Sequence, residues 1–394
     1  INFIDKPALS GTVVAYAVVA PGAQKGKTLT CTMIVNDFLS VKLSAQMLCD
    51  FDGGKYYTLP LKASVFVNNG ATVEDKTPAD AEPVAGQPSN CYMINAAKTY
   101  SFDATVIGNG EAGIIADAGF HATSASIDPK SAKLMWEDTE GFISGVSLVK
   151  GKVLFTAEKN VGNAMIAVFD GAGTVLWSWH IWGVGDTMPE DEEVSSQATI
   201  SANSTLKVKY TVMDRTLGAL SKTSYFTTLY QWGRKDPIPN STVYYVDGQS
   251  AEIETTYPVH KPGSAADATI LTSVQHPECI IDDYKGQAGD WLASDNTNKY
   301  NLLWGDNNTT YVFNKSKPAA GKGWTNGKTI YDPCPSGYRV SSKFAWTGFC
   351  GSSSGDTKNI DYINFVKYES GYYFKKNSSD GVGIYFPMTG SRGC

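Results

Sequence analysis

Residues 176–182 read Leu-Trp-Ser-Trp-His-Ile-Trp and hold three of the chain's nine tryptophans. In a β-strand, successive side chains leave on opposite faces. Trp177, Trp179 and Ile181 then share one face, and Ser178, His180 and Trp182 the other. A second apolar run, 164–169, precedes this stretch across Asp170-Gly171-Ala172-Gly173. Two β-rich runs about a Gly-containing loop predict a hairpin. Trp177 and Trp179 are expected in a core. Trp182, on the other face, could pack on a neighbouring domain or stack on a sugar ring. His180, alone in a strand, reads first as a hydrogen-bonded structural residue. Beyond it lies the acidic run Pro189-Glu190-Asp191-Glu192-Glu193, which reads as a solvated linker.

Outward from this hairpin the strand signals continue. Short β-prone runs at 91–94, 99–107, 133–136, 145–148 and 152–156 are separated by turn residues. That spacing predicts a β-sandwich module over 91–186. Further back, 28–35 and 41–49 alternate around Asn36-Asp37-Phe38-Leu39, which predicts another hairpin. Its turn sets Cys31 opposite roughly Ser44. Cys49 then lies about five residues further on, on the order of 17 Å. Disulfide geometry allows ~7 Å between Cα atoms, so Cys31 and Cys49 read as two free thiols. Residues 1–75 form a first β-sandwich, a partial one, and the Pro-, Ala- and Asp-rich residues 76–90 a linker.

The 394 residues suffice for two to four domains. Only 18% are charged while 12% are aromatic and 38 are Gly, a balance that favours strands and turns over helices. The net charge of −6 argues against a nucleic-acid partner. No apolar run approaches the ~20 residues of a membrane span. The chain opens on Ile1-Asn2-Phe3 with neither signal peptide nor lipid-attachment cysteine, so it reads as a mature or trimmed fragment. The seven cysteines cannot all pair internally, and no CxxC occurs. Cys334 and Cys350, in one module, are the pair best placed for a bridge.

Residues 187–205 are read as an acidic and polar linker, and 206–394 as a third module. Residues 224–232 carry Phe226, Leu229, Tyr230 and Gly233 at helical spacing, which predicts a short helix ending at Gly233. A second helix candidate covers 342–349. A last hairpin is expected between 372–376 and 382–386. Two groups of residues bear on chemistry. In His276-Pro277-Glu278-Cys279, His and Cys lie three apart, but Pro277 opposes a helix that would put both on one face. No second pair completes four ligands, so neither zinc nor catalysis is read here. The other group is oxygen-rich: Asp290, Asp295, Asn296, Asn298, Asp306, Asn307 and Asn308, beside Trp291, Trp304 and Trp324. It reads either as solvated Asx turns around structural tryptophans or as a calcium or glycan site. In the second reading Trp291, Trp304, Trp324, Asp295 and Asp306 are the ligand-binding residues. No G-x-S-x-G, HExxH, P-loop or GxGxxG motif occurs, and no catalytic residue is assigned.

In order, these motifs resemble known families. Ser10-Gly11-Thr12, Ala17-Val18-Val19-Ala20-Pro21-Gly22 and Gly54-Lys55-Tyr56-Tyr57-Thr58-Leu59 look like the second half of a fimbrillin-like surface protein of Bacteroidales. Asn90-Cys91-Tyr92-Met93-Ile94, Tyr100-Ser101-Phe102 and 176–182 look like the module that often follows. Three longer motifs resemble the Fibrobacter succinogenes major paralogous domain, which is similar to C-type-lectin-like folds. They are Met213-Asp214-Arg215-Thr216-Leu217-Gly218-Ala219, Leu229-Tyr230-Gln231-Trp232-Gly233-Arg234-Lys235-Asp236-Pro237, and Tyr331-Asp332-Pro333-Cys334-Pro335-Ser336-Gly337-Tyr338-Arg339-Val340. The resemblance implies a mainly β, multi-domain chain: two β-sandwich modules, then a lectin-like α+β module. It implies a non-enzymatic protein at the cell surface, anchored in the outer membrane as a lipoprotein or built into a pilus. Its partners would be other fimbrial subunits, or surface glycans and proteins. The resemblance brings no cofactor; calcium enters only through the glycan-binding reading.

Overall fold

The computed structural model describes residues 23, 25–34, 39–46, 50, 72–75, 81–86, 88–108, 126–201, 204–224, 226–283, 291–292, 303–304, 328–341, 365–368, 371–375 and 383–387. The chain is mainly β and divides into two compact units, residues 1–79 and 80–394. In the first, β1 (Thr28–Ile34), β2 (Leu39–Gln46) and β3 (Thr72–Asp75) form an antiparallel sheet in that order. The hairpin expected there is present, but Cys31 pairs with Leu43 rather than Ser44. Cys49 lies outside the described residues.

The second unit begins with β4 (Glu82–Pro83), β5 (Cys91–Ile94), β6 (Thr99–Asp103), β7 (Ser131–Glu137), β8 (Ile143–Val149), β9 (Lys152–Ala157), β10 (Val161–Phe169) and β11 (Val175–Val184). It continues with β12 (Asp191–Ser201), β13 (Ser204–Met213), β14 (Thr228–Leu229), β15 (Ile238–Pro239), β16 (Val243–Val246) and β17 (Gln249–Glu252). Then come α1 (Ile253–Thr256), β18 (Val259–His260), α2 (Ile270–Gln275), β19 (Ile280–Ile281), β20 (Phe365–Tyr368), β21 (Gly371–Lys375) and β22 (Gly383–Pro387). Among the described residues no helix is long and apolar enough to cross a membrane.

Two sheets face each other across one core. The larger is six-stranded, in the order β17-β16-β7-β10-β11-β5; the smaller is β4-β6-β9-β8. At its centre is the predicted hairpin, with Ile166 opposite Trp179 and Met165 opposite His180. Its turn is held by Asp170, whose carboxylate accepts from the amides of Ala172 and Thr174. Trp177, Trp179 and Ile181 lie with Phe102, Phe155 and Ile166 in the main core, as the alternation requires. Both faces of β11 are buried, however. Trp182 is fully enclosed with Cys91 and Val184, and its indole N–H donates to the Ala219 carbonyl. It is not an exposed platform for a sugar.

The stretch 187–205, read as a linker, instead supplies all of β12 and the start of β13, which pair antiparallel as a long hairpin. Nor does the large sheet stop at 186. β16 pairs with β7 at Tyr245–Glu137, so residues on both sides of the expected module boundary share one sheet. The last hairpin is present as β21–β22, with Tyr373 opposite Tyr385.

The helix expected over 224–232 does not form. Thr228 and Leu229 are in β14, paired with Pro239 and Ile238. Thr228 Oγ1 donates to the Leu217 carbonyl, and Phe226 and Trp232 are exposed. A threonine with a backbone partner outside the helix readily overrides modest helical spacing. The helix candidate at 342–349 lies outside the described residues.

Candidate functional site

The predicted site residues are Trp291, Trp304, Trp324, Asp295 and Asp306. Trp291 and Trp304 are 1% and 5% exposed. The Trp291 indole N–H donates to the Trp232 carbonyl and that of Trp304 to the Arg234 carbonyl. Trp291 belongs to the main core, and neither ring presents an open face. Among the described residues the exposed indole is Trp232, at 56%, with its ring 4.8 Å from that of Trp304. It stands in the Leu229–Pro237 motif, at a turn closed by Gly233 in the left-handed region. Trp324, Asp295 and Asp306 lie outside the described residues, as do Asp290 and the asparagines of the oxygen-rich segment.

The charged residues of that motif are buried. Arg234, Lys235 and Asp236 are each under 5% exposed. Arg234 donates to the carbonyls of Ser273, His276 and Cys279 and to Gln231 Oε1. Lys235 donates to Asp236 and to the Ser178 carbonyl, and its ammonium lies over the Trp177 ring. Burial pulls both cations below their usual pKa, and Asp236 pulls the other way. A buried charge needs such partners, since an unpaired one costs several kcal/mol. The other two motifs follow the same rule. Asp214 and Arg215 form a buried pair, and Lys328 donates to the carbonyls of Cys334, Pro335 and Tyr338 beside Asp332. Cys334 is a free thiol, so the bridge to Cys350 is not made.

A second constellation surrounds His180. Its Nε2 is 2.9 Å from Asn163 Oδ1, while the Asn163 amide donates to Asp138 and to the Gly218 carbonyl. Both amide hydrogens are thereby used, so Oδ1 accepts and His180 carries its proton on Nε2. Nδ1 then faces Cys91 Sγ at 3.4 Å and the Tyr230 hydroxyl at 3.3 Å. Thiol, imidazole and amide are the parts of a cysteine nucleophile. Here burial pushes the Cys91 thiol up and holds His180 down at about 3, so both are neutral. Both are 1% exposed, and the trio has no face open to a substrate.

The third constellation is His276, Glu278 and Cys279, whose donor atoms all lie within 4.8 Å of one another. α2 ends at His276, whose amide bonds to the Thr272 carbonyl. Pro277 does end the helix, as the sequence suggests, and the following turn folds Cys279 back so that its amide reaches the His276 carbonyl. Glu278 Oε1 is 3.8 Å from His276 Nδ1 and 3.5 Å from Cys279 Sγ. Burial, helped by Glu278, pushes the Cys279 thiol up to about 12. From β18, His260 stacks on His276 at 4.6 Å and is itself held by Asp267. The sequence points to His276 and Cys279 but offers neither a helix to align them nor a second pair to complete four ligands; the turn after α2 gathers them with Glu278 without a helix. Compared with known proteins, the chain matches no family model, no curated protein and no solved structure.

Proposed function

We propose that the chain is a non-enzymatic cell-surface protein, an adhesin or a fimbria-associated subunit, displayed from an outer membrane or within a pilus. The observation that carries this reading is the burial of Trp291 and Trp304, each tied by its indole N–H to a backbone carbonyl. Aromatic and charged residues that could serve a ligand are used here to fasten loops to a β core. That is the economy of a scaffold. The adhesion and fimbrial part rests on the motif resemblance, as does a C-type-lectin-like organisation for residues 206–394. The short strands and brief helices of 226–281 are compatible with that organisation. Partners would be other fimbrial subunits or surface proteins. The test is localisation on the cells that make the protein. Antibody to the folded chain should label intact cells, and sheared surface fibres should contain it. Failure of both sinks the reading.

A carbohydrate-binding role is the second reading, and exposed Trp232 favours it. A glycan array with and without calcium tests it. Binding that falls on Trp232→Ala by ~1–3 kcal/mol, the range for base stacking on an aromatic, supports a lectin. Silence from a folded sample leaves the scaffold reading in front.

A further inference from the structure

We propose that His276, Glu278 and Cys279 form a binding site for a zinc-class divalent transition-metal ion. This site is independent of the adhesion reading.

Three features support it. The first is geometry. A tetrahedral zinc with N, O and S ligands at ~2.0–2.3 Å has ligand–ligand edges of ~3.3–3.8 Å. The edges from Glu278 Oε1 to Cys279 Sγ and to His276 Nδ1 are 3.5 and 3.8 Å. Two edges of the tetrahedron are therefore already set, and the third donor pair lies within 4.8 Å.

The second is an unused donor. Glu278 Oε2 is buried and has no hydrogen-bond partner among the described residues. A carboxylate oxygen left this way costs free energy, which a cation held across both oxygens of Glu278 would offset.

The third is support from behind. Arg234 binds the carbonyls of His276 and Cys279 and so fixes the backbone that carries two of the ligands. His260, held by Asp267, stacks within 15° of parallel on the His276 ring. Ligands of a metal site are commonly oriented by such outer contacts.

The donor set selects the ion. Calcium and magnesium require oxygens, whereas mixed imidazole, carboxylate and thiolate suit zinc and its neighbours. The side chains of His276 and Glu278 are 40% and 31% exposed, so the site can be reached from solvent. With three protein ligands, the fourth position falls to water or to a donor from a partner. Binding converts the Cys279 thiol to a metal-bound thiolate and releases its proton to solvent.

The test uses the full chain after treatment with a chelator. Zinc uptake is followed by equilibrium dialysis, with calcium and magnesium as comparisons. Cobalt(II) serves as a spectroscopic probe, because a thiolate ligand gives it an intense charge-transfer band. The expected result is one zinc per chain, no comparable uptake of calcium or magnesium, and a thiolate–cobalt band. Cys279→Ser removes the band, and His276→Ala and Glu278→Gln each weaken zinc binding at least about tenfold. Near-ultraviolet circular dichroism of the tryptophans checks that each variant is folded. Should Cys279→Ser not fold, Glu278→Gln carries the test. No stoichiometric zinc uptake, or uptake unchanged in the folded variants, overturns the proposal.

Discussion

Lys235 and Trp177 meet inside the protein, with the ammonium 4.6 Å from the centroid of the indole ring. The contact fastens the Leu229–Pro237 motif onto the face of β11. Asp236 completes it, binding both Lys235 and the Ser178 hydroxyl. The charges of this motif therefore tie it to β11 on one side and to the turn after α2 on the other.

Removing Lys235 takes from Asp236 its nearer cation and leaves it only Arg234 at 3.9 Å and the Ser178 hydroxyl. Lys235→Met is expected to lower unfolding free energy by about 3–5 kcal/mol. The double variant Lys235→Met with Asp236→Leu should recover part of it. Urea denaturation of the two single variants and the double variant measures the coupling. Strictly additive losses would show that the pair acts as two independent contacts.

Asn90 connects three segments. Its Oδ1 accepts from the Trp177 indole, and its amide donates to the carbonyls of Ile330 and Asp332. Asn90→Asp supplies no amide donors and adds a buried charge, so it should cost more than Asn90→Ala. Each lost bond that leaves a buried carbonyl unpaired is worth about 1–3 kcal/mol. The same denaturation series checks the order.

His180 makes stability depend on pH. Its folded-state value of about 3 lies below its ordinary 6.5 because burial disfavours the charged ring. In that window the unfolded chain binds the extra proton. Stability from this group is complete above about 6.5 and is lost as pH falls toward about 3, at on the order of 1 kcal/mol per pH unit. Asn163, Cys91 and Tyr230 face the ring and offer no negative charge to offset the cost. Unfolding midpoints from pH 7 to 4 should decline less steeply in His180→Gln. Parallel curves would assign the acid sensitivity to carboxylates.

Gly218, next to last in the Met213–Ala219 motif, has φ of +79°. A Cβ there would lie 2.4 Å from Thr228 Oγ1 and 2.8 Å from its amide nitrogen. Gly218→Ala is expected to cost about 1–3 kcal/mol through strain and displacement of β14. Gly171→Ala, where a Cβ meets nothing within 4 Å, is the control and should be near neutral by thermal melt.

The sequence by itself determined what local periodicity and turn chemistry can determine. The alternation of 164–182 and the Asp170 turn specified the central hairpin, and the β21–β22 hairpin was legible within a residue. Side chains at period two must face the same way, whatever surrounds them. The tertiary structure decided everything that depends on distant partners. Nothing in the local pattern around Arg234 and Lys235 marks them as buried, yet their hydrogen bonds reach up to 57 residues along the chain. Trp291 and Trp304 look alike as ligand platforms or core, and only the backbone carbonyls above them assign them to the core. The residues of 224–232 carry a helical spacing, but β14 pairs with β15 and Thr228 binds Leu217. His276, Glu278 and Cys279 converge through a turn after a helix end, a geometry that no regular spacing encodes. Burial and pairing are properties of neighbours in space, and a linear pattern records only neighbours in the chain.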